Sequence, residues 1–197
     1  MTSGPDLWPD RVRETYVVLD AALDGGVQPL AVDVPADDWH AAVLLARDGL
    51  GCGFFDWLSA VDEGADGFRL VCHHAAHRPG LVEHLVVRTL LPREQPVVAS
   101  VAGVFAGARW HERETHEMFG VDFTEAGEVL ALERLLLPAE FEGHPLRKDF
   151  VLASRVAKTW PGAKEPGESV STPVPKRSRR PARPPGVPAP EEWGPHD

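Results

Sequence analysis

Apolar positions recur along this chain with two different periods. In "DRVRETYVVLDAALDGG", residues 10–26, helical spacing puts Val12, Tyr16, Leu19 and Leu23 on one face, and Gly25–Gly26 ends the run. "PLAVDVP" is a short apolar run with strand character. Beyond Pro35 a second helix is expected, capped by Asp33, with Trp39, Val43, Ala46 and Leu50 as its inner stripe. "CGFFDWLSAVDEGADGFRLVCHHA" predicts two strands around a turn rich in Gly and Asp, and "GLVEHLVVRTLLP" another strand. "SVAGVFAGARWHERETHEMFG" is helical in its second half. The resulting order, α-β-α-β-β-β-α, lacks strict βαβ alternation. It predicts an α+β fold, a single mixed or antiparallel sheet with helices packed on one face.

The pattern fades near residue 154, and composition changes with it. Residues 1–154 hold 12 Lys/Arg against 25 Asp/Glu, a net of −13, whereas residues 155–197 hold eight against five, a net of +3. Ten of the 19 prolines lie in that second part. Three regions are expected: an α+β body over 1–154, an extended docking arm over 155–169 carrying Trp160, and a disordered Pro/Arg-rich tail over 170–197. The acidic body argues against nucleic acid as a partner, although "KRSRRPAR" in the tail leaves a basic adaptor as a rival reading. No run of 18 apolar residues occurs, and "MTSGPDLWPD" has no basic stretch leading into an apolar one. A cytoplasmic location is therefore expected.

Candidate chemistry is sparse. Two cysteines, Cys52 and Cys72, are too few for a usual four-thiolate iron–sulfur cluster. "VCHHAAH" gathers Cys72, His73, His74 and His77, with His84 as a further member, and a free-standing metalloprotein using Cys72, His74 and His77 is one alternative. On a strand, however, Cys72 and His74 point one way and His73 the other. "HERETH" misses the zinc-protease pattern: His111 and His116 are five apart and diverge on a helix. Ser59, Ser100 and Ser154 lack a nucleophile-elbow context, and no Walker or dinucleotide fingerprint appears. These absences lead to the expectation of no catalytic residue, no metal ligand and no cofactor-binding residue in this chain.

Charged residues beside aromatic anchors remain. Helical spacing places Glu114 near Trp110 and Met118, so Glu114 is expected to be half-buried and paired. The later strip "EGHPLRKDF", residues 142–150, offers Arg147 and Lys148. An ion-pair network between the "ERE" helix and the "LRKD" strip is expected at a protein–protein seam, with Trp110, Phe119 and Phe150 as anchors.

"WHERETHEMFGVDF" followed by "FEGHPLRKDF" resembles the signature of the C subunit of bacterial NADH–quinone oxidoreductase, the thirty-kilodalton subunit family of respiratory complex I. The resemblance spans about residues 10–165. His116–Glu117 stand where the family has an aromatic–Asp pair, Val129–Leu130 and Glu133 replace a His-Pro and an Arg, and Val151 replaces a Pro. The resemblance implies a cofactor-free peripheral-arm subunit of a proton-translocating complex, on the cytoplasmic side of the cell membrane. Catalysis would lie in other chains, with NADH, FMN, iron–sulfur clusters and quinone. The D subunit, which forms the quinone site, is the implied partner, with the B and I subunits nearby. The equivalent subunit of a related membrane-bound hydrogenase or other-donor quinone oxidoreductase is the nearest alternative. The implied interface comprises Trp110, Glu112, Arg113, Glu114, Glu117 and Phe119, then His144, Pro145, Leu146, Arg147, Lys148, Asp149 and Phe150, with Trp160 beyond.

Overall fold

A computed structural model describes residues 7–151. The chain divides into two compact units, Met1–Lys148 and Asp149–Asp197. The expected arm over 155–169, including Trp160, and the tail over 170–197 lie outside the described residues.

Helix α1, Trp8–Tyr16, buries Val12 and Tyr16, and the Tyr16 hydroxyl donates 2.7 Å to the Ala42 carbonyl. It is shorter than its apolar spacing predicts. The β-branched pair Val17–Val18 is exposed, and Leu23 lies on strand β1, Ala22–Asp24, opposite Val32 of β2, Leu30–Asp33. Strand pairing takes Leu23 where helical periodicity would have kept it. Asp33 is likewise a strand residue and not a helix cap. Its carboxylate accepts from Arg69 and Arg88, and a short 3₁₀ turn, Ala36–Asp38, leads into α2, Trp39–Asp48. The expected stripe of Trp39, Val43, Ala46 and Leu50 is buried.

Strands β3, Phe54–Asp62, β4, Phe68–Arg78, and β5, Leu81–Leu91, form an antiparallel meander. With β2 running parallel to β5, the mixed sheet has the order β1-β2-β5-β4-β3. Gly67 in the β3–β4 turn has φ 113°, and a Cβ there would stand 2.1 Å from the Leu91 carbonyl oxygen, so only glycine fits. Period-two alternation sends Leu58, Leu70, Cys72, Leu85 and Val87 into the core. The opposite face carries Asp24, Asp33, Arg69 and Arg88, with Glu63 bonded to Arg69. Helix α2 packs on β5 and helix α3, Ala108–Phe119, on β3, completing the α+β layer.

A second, three-stranded sheet has the order β6-β7-β8, with β6 Val97–Ala99, β7 Asp122–Glu125 and β8 Glu128–Val129. Strands β6 and β7 are parallel and α3 connects them. This small sheet holds α3 at both ends.

Candidate functional site

The two signature stretches meet at the C-terminal end of α3. A helix leaves its last four carbonyls without internal partners, and the strip before Lys148 supplies donors to three of them. His144 Nδ1–H donates 2.9 Å to the Glu117 carbonyl, the Leu146 amide 3.1 Å to Met118, and Arg147 Nε 2.6 Å to Phe119. The Gly120 amide takes the His116 carbonyl, 2.8 Å, in a left-handed cap with φ 72°. The Arg147 guanidinium lies over the Phe68 ring, 5.1 Å from its centre, beside Arg93 at the same distance. A cation at a helix C-terminus also meets the negative end of the helix dipole. The Lys148 amide then donates 2.8 Å to Asp62, whose other oxygen accepts from Arg93. Burial alone would raise the Asp62 carboxyl, but the Lys148 and Gly64 amides and Arg93 outweigh it and hold it below the carboxylate range. Burial, Arg147 and His116 push His144 down, so its ring is held neutral as it caps the helix.

Two acids of α3 bind loops rather than a partner's cations. Glu112 is wholly buried, accepting 2.8 Å from Ser100 Oγ and 2.7 Å from the Val101 amide. Burial raises its carboxyl despite these donors. Glu117, also buried, accepts from the Leu135 and Leu136 amides at 2.7 and 2.8 Å. Burial would raise it too, but the amides of residues 135–137 prevail and lower it. Arg113, stacked 5.0 Å over Trp110, donates to the Glu133 and Arg134 carbonyls at 2.8 and 2.7 Å. Segment 133–137 is thus gripped from α3 by one carboxylate and one guanidinium.

These contacts correct the expected ion-pair network. Glu114 is exposed, not half-buried, and the acids that need partners are Glu112 and Glu117. The helix is rotated so that the Glu112 side is inward and Trp110 is 59% exposed. Arg147 binds a backbone carbonyl instead of an "ERE" carboxylate. Phe119 is buried with its ring edge against Phe68, Pro145 is half-buried, and Leu146 is 54% exposed. Asp149 is exposed and Phe150 half-buried, and both belong to the second unit. Sequence reasoning missed Asp62, Phe68, Ser100 and the amides of residues 135–136. Gly120, directly after the helical pattern, carried a legible cap signal.

The alternative ligand set does not converge. Cys72 and His74 are buried on the core face, while His77 is exposed on the other and rests on Phe54. Among the described residues no three metal-ligand side chains come together, and none of the helices is long and apolar enough to cross a membrane. Burial lowers His74 to about 4, and neither of its ring nitrogens has a hydrogen-bond partner among the described residues.

Residues 32–156 match the model of the family described as "Respiratory-chain NADH dehydrogenase, 30 Kd subunit". The C subunit of NADH-quinone oxidoreductase from Moorella thermoacetica is 35% identical over 133 residues, covering 68% of this chain and 87% of the relative. That of Chlorobium phaeobacteroides is 32% identical over 161 residues, covering 80% and 92%. A chain of the archaeal membrane-bound sulfane sulfur reductase, a respiratory membrane complex, superposes with a TM-score of 0.59 at 25% identity, covering 84% of this chain and 98% of that one. A trypsin-resistant fragment of Nqo5 shares the fold, with a TM-score of 0.52 at 21% identity, covering 61% and 98%. With more than half its length matched by one family model, the chain belongs to the 30 kDa subunit family of respiratory-chain NADH dehydrogenases.

Proposed function

We propose that this chain is a peripheral subunit of a proton-translocating NADH–quinone oxidoreductase, that it holds no resident cofactor and performs no chemical step, and that it buttresses the D subunit, which forms the quinone site, with the B and I subunits nearby. The observation that carries this reading is the family match over residues 32–156. The site's geometry supports a scaffold: its buried acids and its arginines bind the chain's own backbone, a use of charge that rigidifies rather than reacts. The exposed Trp110 and the half-buried Arg113 stacked on it are an aromatic–guanidinium pair, a type enriched at binding hot spots. Leu136 and Leu146, 59% and 54% exposed, add apolar surface beside the same helix. The complex would hold this subunit on the cytoplasmic side of the membrane, and the arm at 155–169 would extend the contact.

The test is affinity purification of the tagged chain from gently solubilised membranes. The D subunit should co-purify with the cluster-carrying and NADH-binding subunits. Trp110→Ala should cut that recovery at least tenfold while thermal stability is retained. Recovery of the chain alone from the soluble fraction would refute the scaffold reading. The likeness to the sulfane sulfur reductase chain favours one second reading, the equivalent subunit of a sister membrane complex with another electron donor. A hydrogenase-type large subunit in the eluate would identify it.

A further inference from the structure

The outer face of the five-stranded sheet carries histidines outside the proposed docking surface around α3. His73 on β4 and His84 on β5 are diagonal neighbours, since His84 faces Ala75. Asp56 is the extra residue of a bulge between Phe55 and Trp57 on β3. Its carboxylate stands 2.9 Å from His73 Nδ1. An ionised carboxylate can only accept, so His73 carries its proton on Nδ1 and its Nε2 lone pair accepts from His84 Nδ1–H. That Nε2 is 3.2 Å from His84 Nδ1, and the two ring planes are tilted by only 13°. Trp57 lies along the other face of the dyad, its ring 5.9 Å from that of His73. His73 is 8% exposed, and its ring is fixed by a carboxylate on one nitrogen, an imidazole on the other and an indole at its side.

Two imidazole nitrogens bound to one tetrahedral zinc ion at about 2.0–2.1 Å stand roughly 3.3 Å apart. The dyad therefore has a chelating separation once the ion replaces the hydrogen between the two nitrogens and His84 carries its proton on Nε2 instead, and the Asp56–His73 bond is the outer-shell carboxylate that orients metal-binding histidines. We propose that His73 and His84 form an exchangeable site for a divalent transition ion of the zinc, nickel or copper class. Asp56 orients the first ligand, and water completes the coordination sphere through the solvent-exposed side of His84. Nitrogen donors exclude magnesium and calcium as occupants. Two protein ligands make this a reversible surface site and not a resident metal centre. A bound ion would link β4 to β5 and, through Asp56, to the β3 bulge, stabilising the folded chain by mass action.

The experiment is calorimetric titration of the full-length chain with zinc chloride, with thermal melts in parallel. One equivalent should bind and raise the melting temperature, while magnesium chloride does neither. His84→Ala, at an exposed position, should weaken zinc binding at least tenfold with the apo melting temperature unchanged. Asp56→Asn should weaken it about tenfold, as loss of an outer-shell partner does. Zinc binding of equal strength in His84→Ala would overturn the proposal. So would its loss in His77→Ala with binding by His84→Ala intact.

Discussion

Gly120 concentrates the demands of the site in one residue. Its φ of 72° is left-handed, and a Cβ would stand 2.2 Å from Arg147 Nη2 and 2.6 Å from His144 Nε2. Gly120→Ala should cost about 1–2 kcal/mol from backbone strain alone. It should also push the strip off α3, seen as at least tenfold faster hydrogen exchange at the Leu146 and Lys148 amides. Unchanged exchange there would show that the strip is not held by this contact. His74 makes the opposite kind of demand, a buried base with no hydrogen-bond partner among the described residues. Its folded pKa of about 4 lies below the unfolded value near 6.5, so the unfolded chain takes up a proton first. Stability is intact above pH 6.5 and is lost as pH falls toward 4, by about 3 kcal/mol from this group. His74→Leu should flatten that part of a urea-unfolding series measured from pH 7 to pH 4. An unchanged slope would assign the loss elsewhere.

Helix α3 works as a hub through its spacing. Glu112 and Glu117 are five residues apart and diverge around the helix, so one takes the 100–101 loop and the other segment 135–136. Glu117→Gln replaces one accepting oxygen with a donor facing a donor. It should cost about 1–3 kcal/mol and speed exchange at the Leu135 and Leu136 amides, leaving β4 and β5 protected. The sign with pH follows from the lowered carboxyl: the Glu117 contribution is present above the unfolded carboxylate value and disappears as pH falls through the lower, folded one. On the sheet, Arg88 binds both Asp24 of β1 and Asp33 of β2. Arg88→Leu should leave Asp24 without its arginine and Asp33 with Arg69 alone, and loosen the edge strand β1 first, observable as early exchange at residues 22–24.

For the whole molecule, Trp110, Leu136 and Leu146 around α3 leave an apolar surface that suits a subunit removed from its complex. The isolated chain should self-associate with rising concentration, and Trp110→Ser should shift that equilibrium toward monomer in sedimentation velocity. A monomer at all concentrations would argue that the surface is too small to drive contact. The sequence by itself determined the α+β class, the α2 stripe, the β3–β4–β5 meander and the second-half helix of 100–120, because each carries its own periodicity over eight or more residues. Its two signature stretches also determined the family. It could not place β1, β6, β7 and β8, two to four residues each, whose pairing depends on neighbours distant in the chain. Only the tertiary structure decided which α3 acid is buried. Trp110 and Met118 marked a plausible inward side, but the orphan amides of residues 101 and 135–136 set the rotation that buries Glu112 and Glu117. It alone decided, too, that "GHPLRK" caps a helix end. The donors of one segment and the free carbonyls of another are separate in sequence, and only folding brings them within hydrogen-bonding distance.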